Sequence, residues 1–83
     1  MDHKRVIREF LQNLLIRKGD TKPFVDAASL LASGRLQSID AVEVVVFLES
    51  RFGVDFAKIG FDQEKIDTVD AIAVLVEEYV LTS

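Results

Sequence analysis

The chain contains no cysteine, so neither a disulfide nor a thiolate metal site can support it. Histidine occurs once, as His3 near the N-terminus. A nucleophilic serine needs a base beside it, and this sequence has little to offer as one. No Gly-x-Ser-x-Gly elbow, no glycine-rich phosphate loop and no metal-ligand cluster occurs. Catalysis by the chain itself is therefore not expected, and no metal is. Long hydrophobic runs are also missing. The longest is Ala71-Ile72-Ala73-Val74-Leu75-Val76, far short of the ~20 residues that span a bilayer. The opening Met1-Asp2-His3-Lys4-Arg5 is basic, but Glu9, Gln12 and Asn13 follow where a signal peptide needs its apolar core. A soluble, cytoplasmic monomer without a membrane span is expected.

What remains must be held by packed aliphatic and aromatic side chains. The 83 residues have room for one small domain spanning residues 1–83. At this size a stability of a few kcal/mol is typical. Charge is uneven: residues 1–18 carry five Lys/Arg against two Asp/Glu, and residues 19–83 carry five against twelve. An acidic body is a poor match for nucleic acid, whose phosphates need Lys and Arg. It suits partners with basic surfaces, although a small soluble domain needs some net charge in any case.

Apolar spacing predicts a first helix from about Asp2 to Lys18. Ile7, Phe10, Leu11 and Leu14 form its buried stripe, and Gly19 ends it. Residues 19–37 hold no sustained period, which makes an unusually long connection. Ala27 to Leu31 have the makings of a helical turn or two. A second helix is expected from Ser38 to Phe52. Val44-Val45-Val46-Phe47 is β-prone, but Ala41, Val44, Val45, Leu48 and Phe52 fall at helical spacing and Gly53 follows. Residues 61–66 read as a short helix capped by Asp62. Asp67 or Thr68 then caps a last helix to about Val80, with Val69, Ile72, Ala73, Val76, Tyr79 and Val80 as its stripe. The fold class expected is all-α: a small four-helix bundle of three main helices and one short one, with a long first loop.

Two features point past the core. At about 100° per residue, Ile39, Glu43, Val46 and Ser50 lie opposite the buried stripe of the second helix, with Val42 at the margin. With Asp40 and Glu43 they make a modest apolar patch with an acidic rim, the pattern of a docking surface. Ser38 stands where turn becomes helix. It reads either as a plain N-cap or as a hydroxyl that a separate enzyme modifies. A phosphate-linked group there would meet free backbone N–H groups and the positive end of the helix dipole. The residues permit both.

Gln37-Ser38-Ile39, the acidic-apolar helix after it and Phe52-Gly53-Val54 together resemble the central motif of the acyl carrier proteins, bacterial type. Asp67-Thr68-Val69 resembles that family's lead-in to its last helix. The resemblance implies that Ser38 receives 4′-phosphopantetheine from coenzyme A through a phosphopantetheinyl transferase. The arm would supply the thiol that the chain lacks and carry an acyl group as a thioester, in fatty-acid or specialised lipid synthesis. It implies that Gln37, Ile39, Asp40, Val42, Glu43, Val46, Phe47 and Glu49 face partner enzymes, which load and transfer the acyl group through basic docking surfaces. It also makes Val45, Phe61, Ile66 and Ile72 candidates for lining an acyl pocket, although each suits an ordinary core better.

The sequence departs from the family pattern in two places. Gln37 stands where Asp is usual, with Arg35 close by, and this implies slower modification by a general transferase. The basic first helix (Lys4, Arg5, Arg8), together with Phe47, points to a specialised carrier rather than the housekeeping one. Three other readings stay open: an aminoacyl or polyketide carrier, a carrier fold that is never modified, and, more distantly, a nucleic-acid binder using the basic helix.

Overall fold

Four α-helices and one 3₁₀ turn form an all-helical bundle in the computed structural model, which describes residues 3–82, with side chains through Tyr79. The helices are α1 (His3–Arg17), α2 (Ser38–Phe52), α3 (Phe56–Ile59) and α4 (Val69–Thr82), and the 3₁₀ turn is Gln63–Ile66. Asp2, expected as the first helical residue, and the side chain of Val80 lie outside the described residues.

The buried face of α1 is Ile7, Leu11, Leu14 and Leu15. Phe10 falls at its margin and stacks on Phe47 of α2, ring centroids 4.0 Å apart. Gly19 has φ 87°, where a side chain would be strained. This lets the Asp20 N–H turn back to the Leu15 carbonyl at 2.9 Å. α2 runs from Ser38 to Phe52 as its spacing predicts, and the β-prone valines are helical. Ala41, Val44 and Leu48 are buried, because the helical period puts them on one side where burial outweighs local preference. Gly53, at φ 73°, ends the helix and donates to Glu49 O at 3.1 Å.

Ala27 to Leu31 do not form the helical turn that was expected. The reason lies at the other end of the chain. Leu30 N donates to Asp67 O, and the Asp67 carboxylate accepts from Leu31 N at 2.7 Å, Ala32 N at 3.1 Å and Ser29 Oγ at 2.7 Å. These donors are therefore not available to carbonyls four residues back. Arg8 grips the Asp26 carboxylate with two bonds of 2.8 and 2.9 Å. Arg35 holds Asp20 and the carbonyls of Lys22 and Pro23. Leu30, Leu31 and Leu36 then seal the long connection onto the core.

The short helix expected over residues 61–66 is a 3₁₀ turn over Gln63–Ile66, capped by Asp62 as predicted: its carboxylate accepts from Glu64 N at 3.1 Å. A further single turn, α3, precedes it and was not anticipated. Asp55 caps α3, and Phe56 anchors it in the core. Of the two cap candidates for α4, Thr68 does the capping: its Oγ1 accepts from Ala71 N at 2.9 Å. Asp67 serves the loop instead. Val69, Ile72, Ala73, Leu75 and Val76 of α4 are buried, and α4 packs on α1, α2 and the 3₁₀ turn. Burying a leucine such as Leu11 or Leu48, both fully enclosed, stabilises a fold by about 1.5–3 kcal/mol before the entropy of ordering is counted.

Candidate functional site

Ser38 is the first residue of α2 and not its cap. That position belongs to Gln37, whose backbone is extended at φ −108° and ψ 175°. The Gln37 N–H donates to Asp40 Oδ2 at 2.8 Å, the returning half of a capping box. Asp40, three residues into the helix, thus supplies the closure that Ser38 was free to supply. Ser38 is exposed, and among the described residues no group bonds its hydroxyl. It stands where the first helical N–H groups lack intrahelical acceptors.

Beside Ser38 opens an apolar cleft of about 310 Å³, lined by Ser38, Ala41, Val42, Val45, Phe61 and Gln63. Two of the four acyl-pocket candidates, Val45 and Phe61, are therefore at the cleft. Ile66 and Ile72 are not in its lining and belong to the closed core, 1% and 0% exposed. Ala41 and Gln63 complete the lining. A small residue in a helix stripe and a glutamine in a turn carry no sequence signal for that role.

On the outer side of α2, Ile39 is 73% exposed, Val42 61% and Val46 54%. Val42 forms the ridge between the cleft and a second, shallower groove of about 400 Å³, lined by Phe10, Val42, Glu43, Val46, Phe47 and Ser50. Phe47 is half-buried and serves as the floor of this groove, held by Phe10 and by an edge-to-face contact with Phe52 at 6.0 Å. Glu49 is exposed and without a partner among the described residues.

Of the two carboxylates expected on the acidic rim, Glu43 is on the surface and Asp40 is not. Asp40 is 7% exposed and lies against Lys18, which donates to its Oδ2. Its place three residues into the helix turns it inward under the N-terminal turn. Burial raises the Asp40 pKa, but the Lys18 ammonium and the Gln37 N–H outweigh it and leave the carboxyl below its usual value. Glu43 is on the surface and accepts a 2.9 Å bond from Arg17 Nη2. Arg17 and Lys18 read in sequence only as complements to the negative end of α1. Their partners lie 26 and 22 residues away, a pairing that local patterning does not encode.

An arm on Ser38 fits what is present. The hydroxyl is exposed and uncommitted, the helix N-terminus favours a phosphate, and an apolar cleft adjoins it. No group of three or more His, Cys, Asp and Glu side chains is placed to hold a metal among the described residues, and no described helix is long and apolar enough to cross a membrane. In comparisons with known proteins, no family model, no curated protein and no solved structure matches the chain.

Proposed function

We propose that this protein is an acyl carrier whose Ser38 bears 4′-phosphopantetheine. The observation that carries the reading is the Ser38 hydroxyl itself: exposed, bonded to nothing among the described residues, and released from capping by Gln37 and Asp40. A phosphopantetheinyl transferase would supply the base and the metal. The Ser38 Oγ–phosphorus bond forms as the nucleotide half of coenzyme A leaves, and the hydroxyl proton passes to the transferase. The arm ends in a thiol, and an acyl group rides on it as a thioester. The chain does no catalysis of its own. It holds the phosphate at a helix N-terminus, offers the cleft at Val45 and Phe61 to the cargo, and presents Ile39, Val42, Val46, Glu43 and Glu49 to loading and transfer enzymes. A role in fatty-acid or specialised lipid synthesis belongs to this proposal.

Thiol titration tests it directly, because the chain has no cysteine. The unmodified protein has no thiol to react with a maleimide. After incubation with coenzyme A, a broad-specificity transferase and magnesium, then removal of free coenzyme A, one thiol per chain is expected. Ser38→Ala should stay at zero. A folded parent protein that also stays at zero contradicts the proposal.

A further inference from the structure

The carboxylates nearest Ser38 on α2 are already matched by cations from the last residue of α1 and the residue after it. Lys18 closes on Asp40, and Arg17 closes on Glu43. Glu43 lies five residues beyond Ser38, about 7.5 Å along the helix, and it lines the outer groove. A basic partner approaching Ser38 would look for that carboxylate first, and it meets Arg17 instead. The pair is open to solvent, with Arg17 62% and Glu43 49% exposed, so a partner can displace it. Of the acidic side chains on α2 only Glu49 stands without a partner among the described residues, about 16 Å from Ser38 along the helix, and Arg51 lies close to it in sequence.

We infer that Arg17 is a specificity-determining residue: it competes with a partner's cation for Glu43, weakens docking by strongly basic partners, and favours a partner that grips α2 through apolar contact. That partner would present aliphatic or aromatic side chains to Ile39, Val42 and Val46 and to the groove floored by Phe47, with few cations around them. Charge attraction across an interface acts chiefly on encounter and is screened by salt, whereas apolar contact is not. The inference rests on the carrier reading of Ser38 and gives that site its partner chemistry.

The experiment is the rate of Ser38 modification by a basic-surfaced transferase at low and high salt, followed by intact mass. The parent protein is expected to change little with ionic strength. Arg17→Gln frees Glu43 and is expected to speed modification about threefold to tenfold at low salt, with the gain gone at about 0.5 M salt. Arg17→Gln/Glu43→Gln should lose that gain. Arg5→Gln removes a cation about 18 Å away along α1 and should leave the rate as it was, which separates local unmasking from net charge. Arg17 is exposed, so its replacement leaves the core untouched. An Arg17→Gln protein modified at the parental rate, or one matched by Arg5→Gln, overturns the masking role while the carrier reading stands. Failure of every folded variant to gain the arm overturns both.

Discussion

A serine that caps a helix commits its hydroxyl to a backbone N–H, and its loss costs about 1 kcal/mol. The Ser38 hydroxyl makes no such bond, because Gln37 holds the cap position and Asp40 closes the box behind it. Gln is a weak cap residue and carries no charge to set against the helix dipole. Gln37→Asp is therefore expected to stabilise the fold by about 0.5–1 kcal/mol, seen as a higher urea midpoint, and to be modified faster than the parent. Equal rates would show that Gln37 has no part in slowing the transferase. The place of Ser38 at the start of α2 was legible in the sequence because the cues for it are local. The burial of Asp40 was not, because the lysine that neutralises it sits just past the end of α1, 22 residues away.

At the scale of elements, residues 29–32 of the long connection between α1 and α2 are tied down by one carboxylate. Asp67 joins residues 29–32 to the start of α4 with three bonds to its side chain. Burial pushes its pKa up, but the Ser29 hydroxyl and the loop amides outweigh that and hold it below the usual value. Asp67→Ala leaves those donors without a partner and should cost about 2 kcal/mol, with faster amide exchange at Leu31 and Ala32. A change under about 0.5 kcal/mol would show that water replaces the carboxylate without loss. Periodicity made α1, α2 and α4 legible, each of them long enough to show a stripe. It passed over α3, four residues with Phe56 as the buried anchor, because one turn has no period to read. It read Asp67 as a cap candidate, since a short acidic side chain before an apolar stripe looks the same whether it bonds forward to its helix or back to a distant loop. The cleft was half legible: Val45 and Phe61 were picked out, while Gln63 reaches it only because the 3₁₀ turn folds beside α2.

For the whole molecule, the charge asymmetry between the ends of the sequence becomes a set of clasps. Basic α1 and the lysine that follows it reach Asp70, Asp26, Glu43 and Asp40 through Lys4, Arg8, Arg17 and Lys18. The pKa of Asp26 is lowered by Arg8, and that of Asp20 by Arg35. With Asp40 and Asp67, these carboxyls all lie lower in the folded chain than in the unfolded one. The stability they contribute is complete above the unfolded value near pH 4 and is lost as pH falls through the folded values. The urea midpoint is expected to be nearly level from about pH 7 to 5 and to drop below about pH 4. A midpoint that held level to pH 2 would mean that the clasps add nothing.

Intact mass shows whether Ser38 accepts an arm. The purified chain and its Ser38→Ala variant would be incubated with coenzyme A, magnesium and a broad-specificity phosphopantetheinyl transferase, and fragmentation would place any added mass. One phosphopantetheinyl group is expected on the parent chain, located at Ser38, and none on the variant. A folded parent chain that keeps its unmodified mass, or one modified at another residue, would contradict it.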